Sequence, residues 1–157
     1  MRERQLRYPE YYDSADRIMD LNFYTNFKQR YDIISEEATR VGGKSFKQLF
    51  NEFVWNGDMI DYVKGIRPYP GGIDWISAKR ILIVMNMNNS QFVTLEILLH
   101  KGRMNAYDCN LTCMKHDAFL TFIQPVFDLL SILLRQSGIM KHLSDKLIMN
   151  HGNLKVD

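Results

Sequence analysis

Apolar residues recur at helical spacing in the first third of the chain. Between Asp16 and Tyr31 the spacing is partly helical, which predicts one helix. Ser45, followed three residues later by Gln48, is the residue pair of a capping box and predicts the start of a second helix. The second helix is expected to bury one apolar face, made of Phe46, Leu49, Phe50, Phe53 and Val54, with Trp55 also in the core.

A third, short helix is predicted from Asp58 to Lys64 and ends at Gly65. The segment Arg67–Gly72 contains two prolines and two glycines. These residues are incompatible with regular secondary structure when they lie so close together, so the segment is predicted to be a loop.

The pattern changes at Arg80 from helical spacing to strands separated by polar turns. Arg80–Met85 is a continuous aliphatic run, typical of a strand buried on both faces. Phe92–Leu99 and Met104–Tyr107 follow as a second and a third strand, each reached through a short turn. Three successive strands joined by short turns predict an antiparallel meander.

A long apolar helix is predicted from about His116 to Arg135, and Pro125 is expected to kink or split it. Its apolar side covers so much of the circumference that it should be buried. The fold class is therefore α+β, with N-terminal helices, an antiparallel three-stranded meander and a long buried C-terminal helix.

Composition and charge favour one ordinary globular domain. The chain has 157 residues, 46% of them hydrophobic and 24% charged, which is far from the composition of disordered chains. The formal net charge of +2 is too small and too dispersed to indicate a nucleic-acid surface. We assign residues 1–44, up to the glycine pair, to an N-terminal extension.

The two cysteines, Cys109 and Cys113, occur without a secretory segment or an apolar run of transmembrane length. We expect an intracellular protein, nuclear or cytoplasmic, that has no membrane partner. Neither His100 nor His116 completes a metal-ligand pattern with the cysteines, so no metal and no cofactor are expected.

Two segments together carry a family resemblance. One runs from Arg67 to Trp75, and the other runs from Ile83 to Phe92 and is followed by Met104–Asp108. In order and spacing they resemble the catalytic domain of the SUMO-specific, adenain-like cysteine proteases, in particular the plant branch associated with transposons. The resemblance covers roughly Ser45 to Leu143 and implies that residues 45–157 are part of a papain-like catalytic domain.

In this family a histidine opens one strand and an aspartate closes its antiparallel neighbour, so that the carboxylate orients the imidazole. The aspartate corresponds to Asp108, whereas the histidine position is occupied by Gln91. A glutamine amide cannot accept a proton from a thiol. The family's downstream Gln…Asp-Cys-Gly segment, which supplies the oxyanion hole and the nucleophile, is absent before the chain ends at Asp157. Cys109 lies upstream of the nucleophile position and is not assigned that role.

The resemblance therefore implies a truncated, degenerate and inactive copy that still binds a ubiquitin-like protein such as SUMO, or its conjugates. Trp75 is the candidate for the substrate groove, although it could instead pack beneath the loop. Asp108 could equally be a turn residue that terminates a strand. Two alternatives stay open: an active cysteine peptidase completed by a longer native chain, and an interaction module unrelated to proteases. Truncation should also leave the sheet and the long helix with uncovered apolar surface.

Overall fold

A computed structural model of the chain describes residues 15–87, 91–108, 116–142 and 154–156. The elements, in chain order, are β1 (Asp16–Ile18), α1 (Leu21–Thr39), α2 (Phe46–Glu52), α3 (Gly57–Val63), β2 (Arg80–Met87), β3 (Gln91–Leu98), β4 (Arg103–Asp108), α4 (His116–Gln136) and β5 (Leu154–Val156). Short 3₁₀ turns occupy Leu99–Lys101 and Ile139–His142. The predicted α+β class is confirmed.

The described strands form one five-stranded sheet in the order β1-β2-β3-β4-β5. The antiparallel meander β2-β3-β4 is confirmed, with Ile83 opposite Leu95 and Leu95 opposite Ala106. The edge strands β1 and β5 were not predicted, and each pairs in parallel with its neighbour. Each has three residues, which is too short for a period-two pattern to be recognised.

Alternate residues of the meander enter the core. Those with 1% exposure or less are Ile81, Ile83, Met85, Val93, Leu95, Ile97, Met104 and Ala106. The expectation that β2 is buried on both faces is wrong, because Leu82 and Val84 are half-buried. Their side of the sheet, here called the outer face, also carries the exposed ring of Phe92.

Helix α4 is buried around much of its circumference. Leu129, Leu130 and Leu133 have no exposed surface, and α1 packs against the helix. The Trp55 indole donates to the carbonyl of Leu129 at 3.2 Å. The expectation that this helix is left uncovered is therefore wrong. Pro125 lies inside α4 without splitting it, because buried neighbours on both sides hold the helix in place.

The expectation that no apolar run reaches transmembrane length is wrong, because by length and composition alone the stretch Phe119–Gln136 could cross a membrane. A core helix has the same composition, and the packing of α4 accounts for it.

The segment before Ser45 contributes to the core. Phe23 and Phe27 of α1 have no exposed surface and belong to the same apolar cluster as the strands. The helix predicted from Asp16 to Tyr31 instead runs from Leu21 to Thr39. It starts later than predicted because Asp16 begins β1, and Asp20 caps α1 by accepting from the Phe23 amide at 3.1 Å. Helix α1 thus packs into the same core as the strands.

The capping box of α2 is confirmed, since Ser45 and Gln48 bond each other's backbone amides. The expected core face is only partly correct. Leu49, Phe50 and Phe53 pack against the core and Trp55 is buried, whereas Phe46 is 38% exposed and Val54 is 73% exposed. The reason is that α2 ends at Glu52, so Val54 no longer follows the helical period.

Candidate functional site

Gln91 is the first residue of β3 and Asp108 is the last residue of β4. Asp108 pairs with Val93, two residues along β3 from Gln91. Given the spacing between strands and the rise per residue, this register puts the two Cα atoms about 8 Å apart. The side chains at positions 91 and 108 lie outside the described part of the structure, so their pairing stays a prediction. Cys109 and Cys113 lie outside the described residues altogether.

Trp75 has no exposed surface and packs edge-on against Phe23, with their ring centroids 5.7 Å apart. Its backbone amide donates to the carbonyl of Val63 at 3.0 Å. Trp75 thus lies in the core beside α1 and α3. Within the described ranges, no group of three His, Cys, Asp or Glu side chains could hold a metal ion.

A cavity of about 890 Å³ opens beside the first residues of β3, and we call it the main groove. Its lining comes from the junction of β1 and α1, the proline loop and the outer face of the sheet: Ile18, Met19, Asp20, Leu21, Asn22, Pro68, Tyr69, Val84 and Phe92. Phe92 directly follows Gln91, and its side chain is 53% exposed. Tyr69 is 66% exposed. Two accessible aromatic rings therefore line a mostly apolar groove.

The floor of the groove is held by the turn between β1 and α1. Oδ1 of Asp20 accepts from the Phe23 amide and from the Tyr62 hydroxyl, the latter at 2.8 Å. Burial and this hydrogen bond raise the pKa of Tyr62, so its hydroxyl stays protonated and keeps donating. The Asp20 carboxylate thus stabilises the turn that lines the groove.

The proline loop is anchored to the same strand. The Arg17 guanidinium donates to the carbonyl of Arg67 at 2.8 Å. The Arg67 guanidinium lies 5.0 Å from the ring centroid of Tyr69 and also pairs with Asp58 at 3.2 Å. These contacts hold the Tyr69 ring beside the groove.

A charged network crosses the outer face of the sheet and ties β1 to the meander. Arg80 pairs with Asp16 at 2.8 Å and with Glu96 at 3.0 Å. Glu96 also accepts from Asn105 at 2.8 Å and from Tyr107 at 3.1 Å. Burial opposes ionisation of Glu96, but these three donors and the Arg80 charge outweigh burial and lower its pKa. Glu96 is therefore an ionised structural anchor and a poor proton donor at neutral pH.

The sequence does not predict this cavity. Pro68, Tyr69 and Phe92 fall within the two segments that carry the resemblance, but the sequence assigns none of them to a groove, and it predicts a helix where residues 18–22 line the cavity.

Comparison with known protein families, with curated proteins and with solved structures finds no match to this chain.

Proposed function

We propose that this chain is a non-catalytic domain of the SUMO-protease type, which binds the extended C-terminal tail of a ubiquitin-like protein in the main groove. The observation that carries the proposal is the groove itself, a mostly apolar cavity lined by the exposed rings of Tyr69 and of Phe92, the residue that follows the motif position in the sequence. The resemblance of the two sequence segments supplies the partner class.

The shape and chemistry of the groove suit an extended peptide. Its volume is within the range of about 300–1,000 Å³ typical of ligand sites. Exposed aromatic rings such as Tyr69 and Phe92 offer contact area at low entropic cost, because each side chain has only two rotatable angles.

Strand β1 offers backbone groups as well. It lies at the edge of the described sheet, and the backbone groups of Ala15 and Met19 bond to the β2 side. The period of two therefore directs the backbone groups of Asp16 and Ile18 away from β2. An extended chain could add to this edge next to the groove, a common mode of peptide recognition.

The chemistry of peptide cleavage is not supported by the same residues. Gln91 cannot act as a base, and the sequence contains no Asp-Cys-Gly. The role left to the groove is therefore binding.

The binding test uses the full chain, with SUMO carrying its intact tail and SUMO without the tail as ligands. We expect only the intact form to bind by calorimetry, and we expect Phe92→Ala to weaken binding about ten-fold. Phe46→Ala is the matched control, since Phe46 is also an exposed ring but does not line the groove. Equal binding of the two SUMO forms, or equal effects of the two substitutions, would contradict the proposal.

The alternative of an active peptidase is tested by a SUMO C-terminal vinyl sulfone, which labels only an activated thiol. We expect no label on the unmodified chain. Labelling that disappears in Cys109→Ser would instead establish Cys109 as a nucleophile and overturn the non-catalytic proposal.

A further inference from the structure

A second, smaller cleft adjoins the main groove. It has a volume of about 270 Å³ and lies between α1 and the end of β2; we call it the side cleft. Its lining is Leu21, Tyr24, Thr25, Lys28, Gln29, Val84 and Asn86. Leu21 and Val84 also line the main groove, so the two cavities adjoin. A partner long enough to extend past these two residues would reach both.

Two of the polar side chains in the side cleft are already engaged. The Tyr24 hydroxyl donates to the carbonyl of Phe122, and burial together with the nearby Asp32 charge raises the pKa of Tyr24 to about 12. The Thr25 hydroxyl donates to the carbonyl of Leu21 at 3.0 Å, inside its own helix. Neither group is available to a ligand without loss of an existing bond.

The amides of Gln29 and Asn86 differ from these two. Both side chains are exposed, and within the described part of the chain neither takes part in a side-chain hydrogen bond. Each amide offers an N–H donor and a carbonyl acceptor, which complement the C=O and N–H of an extended peptide unit. The pair can therefore bind a peptide backbone whatever its side chains are.

Among the described residues that line the side cleft, Lys28 is the one that carries a charge. Its ammonium pairs with Asp32 at 2.8 Å, and the two side chains are 42% and 52% exposed. An exposed pair of this kind is weak, so a ligand carboxylate can recruit the ammonium at little cost.

We propose that the side cleft is a second subsite for the same extended partner, in which Gln29 and Asn86 hold the backbone next to the tail and Lys28 selects an acidic side chain. This inference rests on the proposed binding of a tail in the main groove. It adds a sequence preference that the groove alone does not supply: the segment adjoining the tail should be acidic.

The test compares three synthetic peptides by fluorescence anisotropy with the full chain. The first has the tail sequence of SUMO alone, the second adds an adjoining segment with glutamates, and the third has glutamine at those positions. We expect the glutamate peptide to bind about three- to five-fold more tightly than the glutamine peptide, with the difference shrinking at high salt. We also expect the glutamine peptide to bind more tightly than the tail alone.

Substitutions in the side cleft test which residues are responsible for each difference in affinity. Lys28→Gln should remove the preference for glutamate, whereas Lys47→Gln, an exposed lysine on α2, should leave it intact. Gln29→Ala with Asn86→Ala should weaken binding of both longer peptides and leave binding of the tail alone unchanged. All of these positions are at the surface, and equal thermal melts would show that the variants fold.

If all three peptides bind equally and Phe92→Ala weakens each of them, the side cleft is not a subsite and the inference is wrong, while the main-groove proposal stands. If Phe92→Ala weakens none of them, the proposed function is wrong and the inference falls with it.

Discussion

Replacing Glu96 by glutamine tests whether the charged network on the outer face holds the sheet together. The Glu96 side chain is 9% exposed and accepts hydrogen bonds from Arg80, Asn105 and Tyr107. Glutamine keeps the shape of the side chain but removes its charge. Its amide nitrogen is a donor and replaces one carboxylate oxygen, so it faces neighbouring groups that are themselves donors. Hydrogen bonds to charged groups contribute about 1.5–3 kcal/mol each. Arg80 is partly solvated, at 43% side-chain exposure, and keeps Asp16 as a partner, so its share is small. We therefore expect Glu96→Gln to lower the free energy of unfolding by about 2 kcal/mol at pH 7.

The same substitution has a defined pH dependence. The pKa of Glu96 is lower in the folded state than in the unfolded chain. Its ionisation therefore stabilises the fold fully above the unfolded value of about 4.3, and this stabilisation is lost as the pH falls through the folded value. The difference between wild type and Glu96→Gln should be largest near neutrality and should shrink below about pH 4.5.

Urea unfolding followed by circular dichroism measures this difference at each pH. Glu52→Gln is the matched control, because Glu52 pairs with Lys44 at 2.8 Å but the two side chains are 57% and 54% exposed. We expect the control to change stability by less than about 0.5 kcal/mol. Equal effects of the two substitutions, or a Glu96 difference that grows in acid, would refute the assignment of Glu96 as an ionised anchor.

Two further predictions concern the proline loop and the missing base. Gly65 has a φ of +83°, and a Cβ there would lie 2.6 Å from the carbonyl oxygen of Gly72. Gly65→Ala should therefore lower the free energy of unfolding in urea by about 2–3 kcal/mol. Gly57→Ala is the control, because a Cβ at Gly57 meets nothing within 4 Å, and it should be neutral or slightly stabilising. Equal effects of the two substitutions would show that an alanine at position 65 is not strained. Gln91→His should leave cleavage of a fluorogenic SUMO substrate undetectable, because a base without a nucleophile and an oxyanion hole does not restore turnover, and thiol-dependent turnover in this variant would show that a nucleophile is present.

The placement of α4 changes what the resemblance implies for stability. We expected an uncovered helix and sheet because the sequence lacks the family's nucleophile segment. In the structure the α4 side chains Leu129, Leu130 and Leu133 are fully buried, and Trp55 hydrogen-bonds to the helix backbone. The described residues thus form a continuous core, and the exposed Phe92 ring lies on the outer face of the sheet.

The sequence by itself determined the local elements. The capping box at Ser45, the meander and the long apolar helix could all be predicted, because each depends on interactions within a few residues or on a periodicity repeated over one element. The boundaries of α1 and α2 could not, because Asp16 pairs with Arg80 of a distant strand and residues after Glu52 leave the helix to bury Trp55.

Only the tertiary structure decided the main groove and the charged network on the outer face. Asp16, Arg80 and Glu96 are separated by 64 and 16 residues and meet because β1 adds to the edge of the meander. That same pairing places Ile18 on the outer face, where it lines the same cavity as Phe92. No local sequence pattern predicts these long-range contacts, because they depend on which strands become neighbours in the sheet. A three-residue edge strand such as β1 is stabilised mainly by the sheet that it joins.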